Sequence, residues 1–465
     1  MSREIAMMSA TDLIRSYAAG TLSPVEATEA ALGAIERHNA KLNAFVHIDA
    51  EGALEAAKES EARWLKGRPV GLVDGVPTTI KDLADVKGLP TRRGSKTTDP
   101  DYRAPEDAPF VARLRDHGAV FLGKTATPEI GWKGVTDSPL TGVTRNPWNP
   151  EKTPGGSSGG AAACTATGMG ALNQGTDGGG SIRIPAAYTG IYGIKPTFGR
   201  VPQYPASAMG TVSHVGPMTR TVADAALMLQ VMSGPHVADW YTAPDDGRDF
   251  RRFSAISVRG MRIAFSPDLG FAKVDPEIAN LVEAAVRRFT ELGAHVEHVE
   301  LNLASSAETF RAHWFTGAAN AYRALTPAQR ELLDPGLAEV CLEGLEITLP
   351  EYQDAIRARE KLGYDMNQLL DRYDLLMTPA MPTAAFDAGT DVPAGSGMRR
   401  WTEWTPFSYP INLTQQPAAS VPCGFTAEGL PAGLQIVAAK FREDKVFAAS
   451  AAYEALCPFK MPISD

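Results

Sequence analysis

The chain has 465 residues, 44% hydrophobic and 21% charged, which is enough apolar material for a thick core and too much for a largely disordered chain. Asp and Glu outnumber Lys and Arg by 54 to 45, a formal charge of −9, which argues against a surface that coats nucleic acid. The four cysteines, at 164, 341, 423 and 457, are too scattered for a disulfide framework, and no Cys-x-x-Cys pair marks a zinc site.

The amino-terminal MSREIAMMSATDL carries acid early and has no continuous apolar core, so no signal peptide is expected. Nowhere do about 18 apolar residues run together, so no membrane span is expected and a cytoplasmic setting is. Ser23-Pro24-Val25-Glu26 reads as a capping box with Pro in the first turn, opening a helix that should run to about Arg37. A short strand, Ala44 to Ile48, and a helix, about Gly52 to Lys66, follow. Short apolar runs at Val76 to Ile80, Val120 to Leu122, Arg262 to Phe265, Leu375 to Thr378, Ala419 to Val421 and Leu434 to Val437 read as buried strands. Asp275-Pro276 opens another helix, with Ile278, Leu281, Val282, Ala285 and Phe289 at helical spacing. Alternating strands and helices imply an α/β protein around a buried mixed sheet.

From about Gly71 to Val222 the chain is rich in Gly, Ser, Thr and Pro; from about His236 to Ser396 it is more charged and helical. The stretch after that, PINLTQQPAASVPCGF and LPAGLQIVA, again reads as buried strands joined by turns. One domain over 1–465 is expected, with 236–396 a helical lobe on it that shapes the substrate pocket.

Two glycine clusters embed serines: Pro154-Gly155-Gly156-Ser157-Ser158-Gly159-Gly160 and Gly175-Thr176-Asp177-Gly178-Gly179-Gly180-Ser181. Such backbones bring N–H groups together into an anion-binding nest, whereas a single glycine cluster is usually a surface turn. Neither cluster is followed by Lys and Ser or Thr, which excludes a Walker phosphate loop. Gly155-Gly156-Ser157-Ser158-Gly159 matches the hydrolase elbow G-x-S-x-G, but the proline-containing stretch before it cannot be the central strand an elbow needs. The third reading pairs both serine clusters with Lys81, which ends the β-branched stretch GVPTTIKD. A lysine emerging from a buried strand is costly unless neutral, and a neutral amine is a base.

The runs GGSSGG and GTDGGGSIRIPAAYTGIYGIKPTFGR resemble the amidase signature, and GVPTTIKD is similar to that family's lysine segment. Ser157 and Ser181 lie 24 positions apart, a spacing that resembles the family's, and the closing PINLTQQPAASVPCGF and LPAGLQIVA are similar too. The resemblance implies an amidase-signature fold, a mixed and mostly parallel twisted sheet covered by helices on both faces. It also implies hydrolysis of a carboxylic amide with no metal or organic cofactor. Ser181 would be the nucleophile, Ser157 the bridge after a cis Gly156–Ser157 bond, and Lys81 the base. The backbone N–H groups of Gly178, Gly179, Gly180 and Ser181 would hold the oxyanion.

Ser158 either joins that relay or caps a helix over Gly160 to Ala166, and Asp177 with Arg183 forms an ion pair that fixes the loop. Cys164 sits in an apolar helical context and reads as a buried structural thiol. His214 reads as structural in a turn-like segment, and His295-x-x-His298 lacks a third ligand for a metal. Trp132, Trp148, Trp401, Trp404 and Phe407 are candidates for an acyl pocket. A stand-alone amidase acting on a small-molecule amide is favoured, without a nucleic-acid or membrane partner and with a homodimer common among relatives. The alternative is the A subunit of a glutamine-dependent tRNA amidotransferase, whose Arg-Arg segment is missing from PGLAEVCLEGLEITLPEYQDAIRARE.

Overall fold

The computed structural model describes residues 2–462. The capping box forms as read: Glu26 N–H donates to Ser23 Oγ at 3.1 Å and Ser23 N–H to Glu26 Oε2 at 2.8 Å. The helix it opens, Pro24–Leu42, runs past Arg37 because no breaker intervenes before Asn43, which takes the left-handed conformation at φ 51°. Strand β1 (Phe45–Ile48) follows, and Asp49 then caps the helix Ala50–Leu65 by accepting from Gly52 N–H.

The remaining strands are β2 (Pro77–Lys81), β3 (Val120–Thr125), the small hairpin β4 (Asp137–Ser138) and β5 (Gly142–Val143), β6 (Leu172–Asp177), β7 (Tyr192–Lys195), β8 (His214–Thr219), β9 (Arg262–Phe265), β10 (His295–His298), β11 (Leu375–Pro379), β12 (Ala418–Phe425) and β13 (Pro431–Ala438). All but the hairpin form one mixed sheet in the order β1-β3-β2-β6-β8-β7-β12-β13-β11-β9-β10. Parallel pairing occupies two blocks, β3-β2-β6 and β11-β9-β10, and the pairs that join and flank them are antiparallel. The antiparallel neighbours β12 and β13 need only a short turn, whereas each parallel pair needs a long crossover.

Alternate residues of the strands fall into two buried clusters, Ile263 and Phe265 in one and Ala264 in the other, Leu375 and Met377 in one and Leu376 in the other. The sheet is therefore buried on both faces, as its period of two requires. Helix Pro276–Glu291 packs Val282 and Phe289 on one face; helix Ser306–Arg323 packs Phe310 and Trp314 on the opposite one. Residues 236–396 hold these helices together with Pro335–Glu346 and Leu349–Arg372, and they also supply β9, β10 and β11 to the sheet. Among the described residues no helix is long and apolar enough to cross a membrane.

Two expectations are corrected. PINLT forms the helix Tyr409–Thr414 rather than a strand, with Pro410 in its first turn and Gln415 closing it in the left-handed conformation. His214 opens β8 rather than a turn. Pro217 is tolerated in that interior strand because pairing with β7 ends at Met218.

Candidate active site

Strands β2 and β6 are parallel neighbours, with Thr78 opposite Leu172 and Thr79 opposite Asn173, so their carboxyl ends emerge on the same edge of the sheet. Lys81 ends the first strand and Asp177 the second. The registry is pinned by side chains: Thr79 Oγ1 donates to Asn173 Oδ1 at 2.7 Å, and Lys81 N–H to Gln174 Oε1 at 3.0 Å. The loop that carries Ser157 runs out of turns over 145–154 and into the helix Gly159–Thr167. No strand leads directly into it, the hairpin strand β5 having ended at Val143, so the elbow reading fails on structure as well.

Lys81 is completely buried, and its amine reaches three hydroxyls: Ser157 Oγ at 2.7 Å, Ser158 Oγ at 2.9 Å and Thr176 Oγ1 at 3.0 Å. Among the described residues no carboxylate pairs with it. Burial pushes the amine well below its ordinary value, and the more distant charge of Asp177 only partly opposes this. Ser158 stands at the cap position of the helix but makes no side-chain cap bond. Its hydroxyl accepts from Thr176 N–H at 3.2 Å and donates to Thr176 O at 3.1 Å, so its contacts run to Lys81 and β6 rather than to the helix end. Ser158 N–H donates to Ser181 O at 3.2 Å, which ties the two serine clusters together. The Gly156–Ser157 bond is cis.

The loop Gly178-Gly179-Gly180 is squeezed by aromatic rings. A Cβ on Gly178 would stand 2.8 Å from Trp314, and one on Gly179 2.6 Å from Trp401 and 2.8 Å from Phe310. Asp177 anchors this loop. Its carboxylate accepts from Arg183 Nε at 3.0 Å and Nη2 at 2.9 Å and from Asn412 Nδ2 at 2.8 Å. Both members of the Asp177–Arg183 pair are fully buried, and Arg183 also donates to Gln435 Oε1 at 2.7 Å. Burial alone would raise the Asp177 carboxyl, but the guanidinium beside it holds it well below the usual carboxylate range.

Gly180 requires a correction. Its N–H donates to Asp177 Oδ1 at 2.9 Å, so it is committed to the anchor rather than to the oxyanion. Sequence reasoning also missed Thr176, Asn412, Gln435 and Ser408, whose Oγ donates to Gly179 O at 2.6 Å. Asn412 and Gln435 reach the site only through folding, more than 200 positions along the chain from Asp177 and Arg183.

A cavity of about 180 Å³ adjoins Thr176, walled by Leu83, Phe110, Ile130, Met209 and Val215. Trp401, Trp404 and Phe407 are buried in the cluster around the glycine loop, with Trp132. Trp148 lies elsewhere, tilted against Phe425 with its indole N–H on Thr189 O. Cys164 is buried in the helix Gly159–Thr167, where desolvation pushes its thiol well up.

The sequence profile of the Amidase family matches residues 26–447. The chain is 39% identical to an acylamidase of Rhodococcus erythropolis over 97% of this chain and 96% of that one. It is 34% identical to the A subunit of the glutamyl-tRNA(Gln) amidotransferase of Chloroflexus aurantiacus over 97% of each. Its fold superposes with a TM-score of 0.90 on a bacterial aryl acylamidase of the amidase signature family, at 33% identity, covering 97% of this chain and 96% of that one.

Proposed function

The chain belongs to the amidase family and hydrolyses amide C–N bonds, and we propose that it does so through an acyl-enzyme on Ser181, with Ser157 relaying protons to a neutral Lys81. The observation that carries this reading is the 2.7 Å contact between the Lys81 amine and Ser157 Oγ in a fully buried setting. A neutral amine has two N–H groups and one lone pair. Ser158 has committed its proton to Thr176 O and must accept from the amine, and Thr176 Oγ1 accepts the second N–H. The lone pair is then left for the Ser157 proton.

Lys81 takes that proton as Ser157 takes one from Ser181, and Ser181 Oγ attacks the amide carbonyl. Backbone N–H groups of Gly178, Gly179 and Ser181 meet the oxyanion, each donor contributing about 2.7–4 kcal/mol in comparable sites. On collapse the C–N bond breaks, and the proton returns through Ser157 to the departing nitrogen. Water, deprotonated by the same relay, then cleaves the ester and frees Ser181.

The similarity to acylamidases supports an acyl amide as substrate, its acyl part in the cavity beside Thr176. Residues 236–396 supply Phe310 and Trp314, which wall the glycine loop, and Ala321, which lines the cavity. The amidotransferase alternative rests on the lower, 34% similarity. Ammonia or amine release by the purified chain alone tests the choice. Turnover of simple amides without a partner supports the hydrolase, and glutamine-only activity that needs a partner and tRNA supports the alternative.

A further inference from the structure

A second concavity, of about 720 Å³, lies beside the first and shares with it the wall formed by Ala208 and Met209. Two cations, Arg359 and Lys440, stand in its lining with Thr211, Tyr241, Tyr352 and Gln415. Their visible partners are all neutral. Arg359 donates from Nε to Leu413 O at 2.7 Å, from Nη1 to Thr211 Oγ1 at 2.7 Å and from Nη2 to Thr211 O at 3.1 Å. Lys440 Nζ donates to Gln415 Oε1 at 3.1 Å.

Among the described residues no carboxylate stands within ion-pairing distance of either cation, and Glu360, the acidic residue of the same lining, pairs with neither. Arg200 and Arg400 find carboxylates, on Glu443 and Glu343, whereas the buried Arg220 is held by backbone carbonyls but lines neither concavity. Leaving two positive charges facing one concavity is unfavourable in itself, and more notable in a chain of net charge −9. Burial and the charge of Arg359 both push the Lys440 amine down, and burial does the same to Arg359. An anion between them would relieve that penalty and could take further hydrogen bonds from the tyrosine and threonine hydroxyls.

We infer that this cleft binds an oxyanion, a carboxylate or a phosphate, between Arg359 and Lys440. Two sources share that chemistry: the far carboxylate of an amide whose carbonyl sits at Ser181, reached past Ala208 and Met209, or a separate small anion. Either would bear on the catalytic loop. Arg359 and Gln415 both hold Thr211 O, and Asn412 Nδ2 bridges the adjacent Val212 O, at 3.1 Å, to Asp177 O, at 2.9 Å.

The test titrates inorganic phosphate into the full chain at low ionic strength, with wild type, Lys440→Gln and Lys440→Arg compared by calorimetry. Hexanamide and its ω-carboxylate analogue adipamate serve as substrates in parallel. Lys440→Gln should weaken phosphate by about fivefold, the upper end for one partly exposed ion pair, and Lys440→Arg should restore it. If the source is the substrate, adipamate has the lower KM in wild type and Lys440→Arg but not in Lys440→Gln, and phosphate competes with it. If the source is a separate anion, phosphate binding shows the same loss while the two amides behave alike. Equal phosphate affinity in wild type and Lys440→Gln overturns the inference. The substrate arm rests on the Ser181 reading, which hexanamide turnover checks separately; the phosphate arm does not, and it should be unchanged in Ser181→Ala.

Discussion

The Lys81 amine stands 2.7 Å from the Ser157 hydroxyl at the end of a strand that hides the lysine from solvent. A charged amine there would lack the carboxylate that two other buried lysines possess: Lys124 lies 3.4 Å from Asp82, and Lys133 2.7 Å from Asp137. Neutrality is the consistent state, and it has consequences for stability as well as for chemistry.

The unfolded chain carries a proton on Lys81 up to its ordinary value of 10.5, whereas the folded chain has released it well below that. The unfolded state therefore binds more protons in the window between the two values, so stability contributed at this site rises with pH across it. Lys195, also fully buried and pushed down by burial, acts in the same direction. The difference between wild type and Lys81→Met isolates Lys81. Urea midpoints should climb with pH more steeply in wild type, and parallel slopes would contradict a neutral Lys81.

Asp177 has the opposite sign. Its carboxyl is held below the usual range, so the stability it contributes is present above the ordinary value of 3.8 and fades as pH falls toward the folded one. Asp177→Asn leaves Arg183 buried without its counter-charge, a loss of about 3–5 kcal/mol by urea unfolding. It should also loosen Gly180, whose N–H the carboxylate holds. A near-neutral effect would mean that the pair is dispensable.

Gly179→Ala should be costly although only a methyl is added. The new carbon would stand 2.6 Å from Trp401 and 2.8 Å from Phe310. Overpacking of this kind destabilises by about 1–3 kcal/mol. A thermal melt reads that loss. Ammonia release should fall further than the melt explains, because the N–H groups proposed to meet the oxyanion sit on the displaced backbone.

Ser158→Ala removes one of the three hydroxyls around the lysine and both of its links to the Thr176 backbone. Misorientation of the base should lower kcat by about 10²-fold, within the range of general acid–base effects, with KM little changed. Steady-state kinetics on a simple amide decide it. An unaltered kcat would return Ser158 to a helix-terminus role.

Much of this was legible from local pattern. The Ser23 capping box, the periodic helix after Asp275 and the apolar strands near Ile263, Leu376 and Ile436 all depend on neighbours in sequence. Strand β6 did not show itself, because its buried residues Asn173, Gln174 and Thr176 are polar and are satisfied by Thr79 and Lys81 across the sheet. Hydrophobic periodicity tracks apolar burial and is silent where hydrogen bonds do the same work. Lys81, Ser157 and Ser158 were singled out in sequence and lie together in the fold. The Asn412 and Gln435 clamps on Asp177 and Arg183 carry no local signal.

The most direct measurement is the pre-steady-state rate of acylation against pH in wild type and Lys81→Ala, with the acylated residue located by mass spectrometry. Wild type should place the acyl group on Ser181 and show a rate that rises to a plateau well below pH 10.5, the ordinary lysine value. Lys81→Ala should lose that plateau and keep only a slow rate that grows in proportion to hydroxide. A plateau of equal height in both proteins, or an acyl group on any residue other than Ser181, would contradict the relay.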